Sequence, residues 1–491
     1  MPSSPVAFLA LALWFPLTFV LFARLAPLRA LLVSILGGYL LLPPLVAFDL
    51  PLMPVLDKLA IPAIASYLAS WAILRDRAPL FGAGRWAGLC VALALAGSVG
   101  TALTNTDARF VGGGVVLPGQ SLRDGLSMLA NALPPLLIWA LAVRHVRGLR
   151  ELRELLATLV VAMLLYSVPM LIEVRLSPQM NVWVYGFFQH RFDQMIRFGG
   201  FRPIVFLEHG IWVALLTYMA AHAAALLARS SPPADRGRQV AALLFLLVMV
   251  ALCRTLAAWL YALAFVPLVL LAPPRLLGRV ALLMAAAVFC YPLLRLYGLV
   301  PIDWMLDMAA KVSADRAGSL QYRFDNEWVL LEHVQARPLF GWGEWNRNHV
   351  FDGDGRILTV TDGEWIVMMS TRGVVGFVAR FGLLLLGVLR AVQAAQQAAK
   401  QGAGQEAAPA QQQAALLFAG SALMLAVNMV DLVPNATLTP LTWLLAGGLL
   451  GAAQSAGERA EDKVQDGAED GTPAADDPVP APASPRARTL I

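Results

Sequence analysis

Apolar stretches of about twenty residues recur along most of this 491-residue chain. As a helix rising about 1.5 Å per residue, each is long enough to cross a hydrocarbon core of roughly 30 Å. Only 14% of the residues are charged, whereas a soluble domain carries about a quarter. The sequence therefore predicts an all-α, polytopic helical membrane protein with about 12–13 transmembrane helices and a large outer-face loop.

The hydropathy pattern predicts where the spans lie, and the positive charges between them predict their orientation. They are placed at 6–23, 29–48, 58–74, 86–104, 123–143, 153–174, 203–228, 239–253, 255–272, 277–299, 363–389, 412–432 and 435–453. Arginines such as Arg75, Arg144 and Arg229 fall in alternate connections. Because cytoplasmic loops carry the excess of positive charge, these connections are predicted to be cytoplasmic and the N-terminus outside. The two larger outer loops are then 175–202 and 300–362.

The end of the chain differs in composition from the rest. Residues 455–491 are rich in Ala, Pro, Asp and Glu and nearly free of large apolar side chains. Such a segment cannot bury a core, so it is predicted to be a disordered cytoplasmic tail behind a membrane domain at 1–454. The net charge of +5 does not indicate nucleic-acid binding, because the arginines are spread among short loops.

One long polar segment, at 301–363, interrupts the apolar pattern. It contains RFDNEWVLLEHVQARPLFGWGEW, which begins at Arg323, and then His349 and Asp362. Long polar loops on membrane proteins are where catalytic and binding residues concentrate. The spacing from Arg323 to His333 predicts an amphipathic helix on the membrane surface, ended by a turn at PLFGWG.

A second candidate is the segment RFGGFRPIVFLEHGIW, at 197–212. Its glycine pair permits a tight bend, and Pro203 suits the first turn of a helix. Glu208 and His209 are then predicted to lie on that helix, roughly 7–10 Å below its start. Ionisable groups at that depth either face a polar cavity or form pairs that hold helices together, and the sequence leaves both alternatives open.

A third candidate is Arg254, which divides an apolar stretch too long for one span. The helix before it would have about fifteen residues, too few to cross the bilayer core, so the turn at 253–255 is predicted to be recessed. A recessed guanidinium suits a pyrophosphate, which it can bind with two parallel hydrogen bonds. The alternative is an arginine whose hydrogen bonds are taken by backbone carbonyls.

At these residues the chain resembles the O-antigen ligase and polysaccharide polymerase superfamily of bacterial membrane glycosyltransferases. The resemblance is carried by RFDNEW, PLFGWG, TDGEW and GVVGF in the polar segment and the span after it, by RFGGFRP, and by the CRT turn. Many members carry His-Asn just before the span that follows the loop, where this chain has Asp362-Gly363. That difference weakens the resemblance to a ligase and favours a polymerase.

The resemblance implies an inner-membrane enzyme whose donor is an undecaprenyl-pyrophosphate-linked oligosaccharide and whose acceptor is a glycan hydroxyl at the outer face. No pair of aspartates with metal-binding spacing stands out, so neither metal-dependent chemistry nor a cofactor is indicated. Other polysaccharide-assembly proteins are possible partners. The residues expected to bind substrate are Arg197, Arg202, His209, Arg254 and Arg323. The candidates for the base are Asp362, His349 and Glu208. The alternatives are a lipid-linked oligosaccharide flippase, an O-antigen ligase proper and a non-catalytic assembly subunit.

Overall fold

The computed structural model describes residues 4–51, 53–402 and 408–469. The chain is 72% helical with almost no sheet, which confirms the all-α class. The helices in the described residues are α1 (Pro5–Arg24), α2 (Pro27–Leu41), α3 (Ala60–Ile73), α4 (Arg85–Leu103), α5 (Leu122–His145), α6 (Leu149–Leu176), α7 (Met180–Tyr185), α8 (Gly210–Ser230), α9 (Pro233–Leu252), α10 (Leu256–Leu271), α11 (Pro274–Leu296), α12 (Ile302–Val312), α13 (Ala314–Val334), α14 (Glu364–Gln401), α15 (Ala408–Asp431) and α16 (Pro440–Glu469). The strands are β1 (Arg109–Phe110), β2 (Val116–Leu117), β3 (Ile196–Arg197) and β4 (Gly200–Phe201), paired as two antiparallel hairpins.

Every predicted span overlaps one of these helices. By length and composition, eight of the described helices can cross a membrane, and they are α1, α4, α5, α6, α8, α11, α14 and α15. Three further apolar helices, α2, α3 and α10, are shorter. Helices α9 and α16 match the two remaining predicted spans. The chain is therefore a multi-pass helical membrane protein.

The centre of the bundle is formed by α8 and α15. In their most apolar windows, 89% and 83% of the residues are buried inside the protein. Small residues allow this close packing, as at Gly420, where an added Cβ would lie 2.6 Å from a methyl carbon of Leu226. Membrane helices associate through such small-residue contacts because lipid tails provide no hydrophobic driving force.

Alternate connections meet at opposite ends of the bundle, as the predicted topology requires. At one end, hydrogen bonds join Lys58 to the carbonyl of Phe206 (2.8 Å), Arg254 to that of Phe198 (2.6 Å), and Arg337 to Asp107 (2.8 Å). We call this end, with connections 42–59, 104–121, 177–209 and 297–363, the loop end. At the other end Arg153 binds Ser231 (2.8 Å) and Arg229 binds the carbonyl of Ala272 (2.6 Å).

Helix α14 folds back on itself at Gly373. An ion pair joins Glu364 to Arg380, yet sixteen residues of straight helix would separate their backbones by about 24 Å. The break is at Gly373, whose φ of 64° and ψ of −164° are not helical. Both halves are buried in the core of the bundle, as at Trp365 before the break and Phe381 after it.

The break exposes backbone groups that the polar loop satisfies. Four hydrogen bonds connect the two segments: Trp342 N to Ser370 O (2.8 Å), Gly343 N to Thr371 O (3.0 Å), Val374 N to Pro338 O (2.8 Å) and Val375 N to Leu339 O (3.1 Å). We call these two segments, 338–343 and 370–375, the interlock. Irregular backbone inside a membrane protein persists only where other protein groups bind it. The PLFGWG turn is therefore a structural part of the bundle.

Two predicted helix boundaries are wrong. Helix α8 begins at Gly210 rather than near Pro203, so neither Glu208 nor His209 lies on it. The carboxylate of Glu173 accepts the backbone N–H groups of Ile204 and Val205, both at 2.8 Å, and holds this segment out of helical conformation.

Helix α9 has 20 residues because it starts at Pro233. The added residues include the charged Asp235, Arg236 and Arg238, so the apolar part of the helix is as short as predicted, and the recessed turn at Arg254 stays a prediction.

The predicted surface helix and the predicted tail also differ from the structure in extent. Helix α13 contains Arg323 as expected, but it begins nine residues earlier, at Ala314. Helix α16 continues to Glu469, past residue 455 where disorder was predicted to begin. The remainder of that segment, residues 470–491, lies outside the described residues.

Candidate functional site

A short hairpin at the loop end forms the floor of the candidate site. Strands β3 and β4 are joined by Phe198 and Gly199, both with left-handed backbone (φ of 48° and 70°). The RFGG sequence suits this turn because glycine adopts positive φ without steric cost. The hairpin exposes the side chain of Arg197.

Arg254 lies against this hairpin from the α9–α10 turn. Its own backbone is left-handed, with φ of 50°. One guanidinium nitrogen, Nη1, donates to the carbonyls of Arg197 (3.2 Å) and Phe198 (2.6 Å). A Cβ at Gly200 would overlap Nη2 of Arg254, so any larger residue there would displace the guanidinium from its present position. Backbone carbonyls thus hold one side of Arg254, and they come from the hairpin rather than from its own turn.

Arg202 is buried beside the same turn. Its Nε and Nη2 donate to the hydroxyl of Thr255, at 3.2 and 2.8 Å. Burial, followed by the positive charge of Arg197, lowers the pKa of Arg202 to about 10. At neutral pH the side chain is therefore still a cation, held in a poorly solvated place.

His209 caps α8 and lies among the same basic groups. Its Nδ1 accepts the backbone N–H of Ile211 (2.9 Å), and its Nε2 lies 3.4 Å from Oε1 of Gln194. Burial lowers the pKa of His209 to about 3, and basic neighbours add to the effect. These neighbours are Arg202, His190, Arg197 and Arg323. The imidazole is neutral at physiological pH, and its one N–H, on Nε2, faces the side-chain oxygen of Gln194.

Arg323 approaches this group from α13. Its Nε lies 3.4 Å from Oδ2 of Asp362, and its Nη1 donates to the carbonyl of Pro434 (3.3 Å). The structure therefore brings all five predicted substrate-binding residues into one neighbourhood, from three separate parts of the chain: the 177–209 connection, the α9–α10 turn and α13. We call the side chains Arg197, Arg202, His209, Arg254 and Arg323 the arginine cluster.

The arginine cluster carries unbalanced positive charge. In the described part of the chain no carboxylate lies within 4.0 Å of the guanidinium nitrogens of Arg197, Arg202 or Arg254. Buried and half-buried charges are normally paired, because an unpaired one loses its hydration without compensation. Arg202 and Arg254 are a buried and a half-buried charge of this kind, and the exposed Arg197 lies beside them.

The three candidate bases are not equivalent. Asp362 contacts the arginine cluster through Arg323. His349 lies elsewhere, with its carbonyl bound by Arg109 (3.0 Å) and its Nδ1 3.2 Å from the hydroxyl of Thr359. Burial lowers the pKa of His349.

Glu208 lies beside Lys58 rather than beside the arginines. Burial raises the pKa of Glu208, and the charge of Lys58 opposes that shift. Burial also lowers the pKa of Lys58 to about 8. Of the three carboxylate or imidazole candidates, Asp362 is the one placed to act together with the arginine cluster.

A buried carboxylate on α13 was not among the predicted site residues. Glu327 accepts hydrogen bonds from the Tyr291 hydroxyl (3.2 Å) and the Trp365 indole (3.4 Å), and it lies 3.7 Å from Arg295. Burial raises the pKa of Glu327 to about 7. The sequence did indicate Glu327 as a candidate, since it follows Arg323 by one helical turn on the same helix. Its burial could not be predicted, because its partners lie on other helices, α11 and α14.

A second unpredicted carboxylate, Asp431 at the end of α15, interacts electrostatically with Arg323 of the arginine cluster. Asp431 is 1% exposed and accepts hydrogen bonds from Tyr261 (3.0 Å) and Thr437 (2.5 Å). Asp431 follows an apolar span directly, and an acidic residue at that position is a usable signal because it needs a partner.

The chain has no match in the comparisons with known proteins, neither among family models nor among curated proteins. The resemblance to glycan polymerases and ligases therefore rests on the short motifs alone, and any functional conclusion has to come from the geometry of the site.

Proposed function

We propose that this protein is a membrane glycosyltransferase that polymerises or transfers undecaprenyl-pyrophosphate-linked oligosaccharide at the outer face of the bacterial inner membrane. The observation that carries the proposal is the unbalanced charge of Arg197, Arg202 and Arg254 at the loop end. A pyrophosphate matches this charge, and guanidinium groups bind phosphate oxygens in pairs.

The chemistry assigns a role to each side of the site. The acceptor hydroxyl attacks the anomeric carbon of the donor sugar, and a new C–O bond forms there. The bond from that carbon to the pyrophosphate oxygen breaks, and its electron pair stays on the departing lipid pyrophosphate. The arginine cluster stabilises this developing negative charge, the kind of electrostatic contribution that is often the largest in catalysis.

The proton of the acceptor hydroxyl needs a base close to the same cluster. Asp362 satisfies this requirement, because it lies at the edge of the cluster in an ion pair with Arg323. Its side chain is about one-third exposed, so an acceptor can reach it. We assign Asp362 as the general base, a role that a carboxylate within hydrogen-bond reach of the acceptor can perform.

The test is turnover of a synthetic undecaprenyl-pyrophosphate oligosaccharide by the purified protein. Arg254→Ala is expected to lower kcat at least about 100-fold, the loss typical of removing one group that stabilises developing charge. Arg191→Ala is the matched control, because Arg191 is exposed in the 177–209 connection at the same end of the bundle and forms an ion pair only with Asp193 (2.9 Å) among the described residues. Full activity of a folded Arg254→Ala protein would remove the basis of the proposal.

A further inference from the structure

A second hollow at the loop end lies outside the arginine cluster. It has a volume of about 390 Å³, which is within the roughly 300–1,000 Å³ range of small-molecule sites. Three parts of the chain line it: Asp49 in the α2–α3 connection, the first turns of α5 (Ser121–Ser127), and Trp345 in the long polar loop. We call it the rim cavity.

Trp345 is placed at the rim cavity by a strained backbone. Trp345 and Asn346 both have left-handed φ angles, 55° and 65°, which bulky L-residues rarely adopt. The indole is 53% exposed, whereas Arg347, two residues later, is 1% exposed. Strain of this kind costs about 1–3 kcal/mol per residue and concentrates at functional sites. Here the strain presents a large flat aromatic face at the edge of a hollow.

Apart from Leu50 and Pro51, the other lining side chains are polar groups able to bind a ligand. Asp49 and Arg123 are exposed, and neither forms an ion pair within the part of the chain that the structure describes. Asp124 uses only Oδ2 for its capping bonds to Ser121, so among the described contacts its Oδ1 is left for a ligand. Such a lining disfavours a lipid tail, because burying these groups against hydrocarbon would leave them without partners.

We propose that the rim cavity is a glycan subsite, in which a sugar ring stacks on Trp345 and its hydroxyls bind Asp49, Asp124 and Arg123. A sugar ring has an apolar face and a rim of hydroxyls, and the cavity offers the complementary aromatic face and charged acceptors and donors. The ligand class rests on the proposed function. The same connection that supplies Asp49 continues to Lys58, which binds the carbonyl of Phe206 in the segment that leads to His209. One connection thus joins the rim cavity to the arginine cluster.

The experiment observes Trp345 directly and requires no turnover. The protein is labelled with 5-fluorotryptophan and placed in lipid nanodiscs, and the ¹⁹F resonance lost in Trp345→Phe identifies the residue. Tetrasaccharides of hexose, N-acetylhexosamine and hexuronic acid are titrated in turn, and lipids carrying a nitroxide near the headgroup are then added. Trp304, which is 62% exposed on α12, is the matched control for contact with lipid.

We expect at least one tetrasaccharide to shift the Trp345 resonance while the nitroxide lipid broadens the Trp304 resonance and leaves that of Trp345 sharp. Asp49→Ala should weaken that binding about tenfold, as expected for the loss of a hydrogen bond to a charged group. Broadening of Trp345 by the nitroxide without any response to glycans would overturn the proposal and identify Trp345 as a membrane anchor. A lack of response to every glycan would also overturn it. Inactivity of the enzyme with intact glycan binding would instead count against the proposed function alone.

Discussion

Replacing Gly373 by alanine tests whether the interlock holds the polar loop to the bundle. The φ and ψ of Gly373 lie in a region that is essentially restricted to glycine, so alanine there costs about 1–3 kcal/mol. The new Cβ would also overlap the backbone of Leu339 and Phe340. If the segments separate, four backbone hydrogen bonds are lost, at about 0.5–1.5 kcal/mol each. The sum, about 3–9 kcal/mol, is comparable to the whole stability of a domain.

The assay is the thermal unfolding of purified protein, with proteolysis of the loop as a second measurement. Gly373→Ala should lower Tm and make the loop sensitive to protease at temperatures where the wild-type loop resists. Gly88→Ala is the matched control, because an added Cβ at Gly88 in α4 meets no atom within 4 Å and alanine favours a helix. A Gly373→Ala protein as stable as the Gly88→Ala protein would refute the assignment of the interlock as a structural joint.

Two further predictions concern acidity and orientation. Because burial raises the pKa of Glu327 from its ordinary 4.5 to about 7, its contribution to stability is complete below about pH 4.5 and is lost as the pH rises through 7. The Tm of the wild type should therefore fall more between pH 5 and pH 8 than the Tm of Glu327→Gln. The corresponding difference in the free energy of unfolding is up to roughly 3 kcal/mol. Equal pH dependence of Tm in the two proteins would contradict this. The orientation is tested in intact cells with a variant that has no native cysteine. An impermeant maleimide should label Asp352→Cys but not Arg238→Cys, although the native Arg238 side chain is 82% exposed at the opposite end of the bundle. The reverse labelling pattern would invert the proposed topology.

The helices could be predicted because hydropathy alone dictates them. A long run of apolar residues in a bilayer must satisfy its backbone hydrogen bonds within itself, which an α-helix does. Each of the thirteen predicted spans overlaps a helix in the structure. The boundaries failed where side chains distant in sequence compete with helix formation. Glu173 binds the backbone after Pro203, and no local pattern in 197–212 indicates that a carboxylate from α6 will do so.

The charged residues of the candidate site could be predicted from the sequence, but the backbone contacts that hold them in place could not. Arginines on the side that the charge bias disfavours are conspicuous in a membrane sequence, and they led to the residues of the arginine cluster. Their mutual placement depends on contacts with the backbone, such as the hydrogen bond from Arg254 to the carbonyl of Phe198. Such contacts cannot be predicted from residue types, because every residue has a backbone carbonyl. The fold-back at Gly373 was hidden for the same reason, since the GVVGF sequence reads as the start of an ordinary span.

The distribution of unbalanced charge also bears on the choice between an enzyme and a transporter. A flippase is expected to hold its charged substrate near the middle of the membrane, between broken helices. Here the fold-back of α14 does line an interior cavity of about 120 Å³ with two arginines, but each is neutralised, Arg372 by Glu344 and Arg380 by Glu364. A pyrophosphate entering that cavity would have to displace a carboxylate, whereas at the arginine cluster it would meet cations that lack one. The electrostatics thus favour an anion held at one face of the membrane, where a reaction on its sugar can occur without passage across the bilayer.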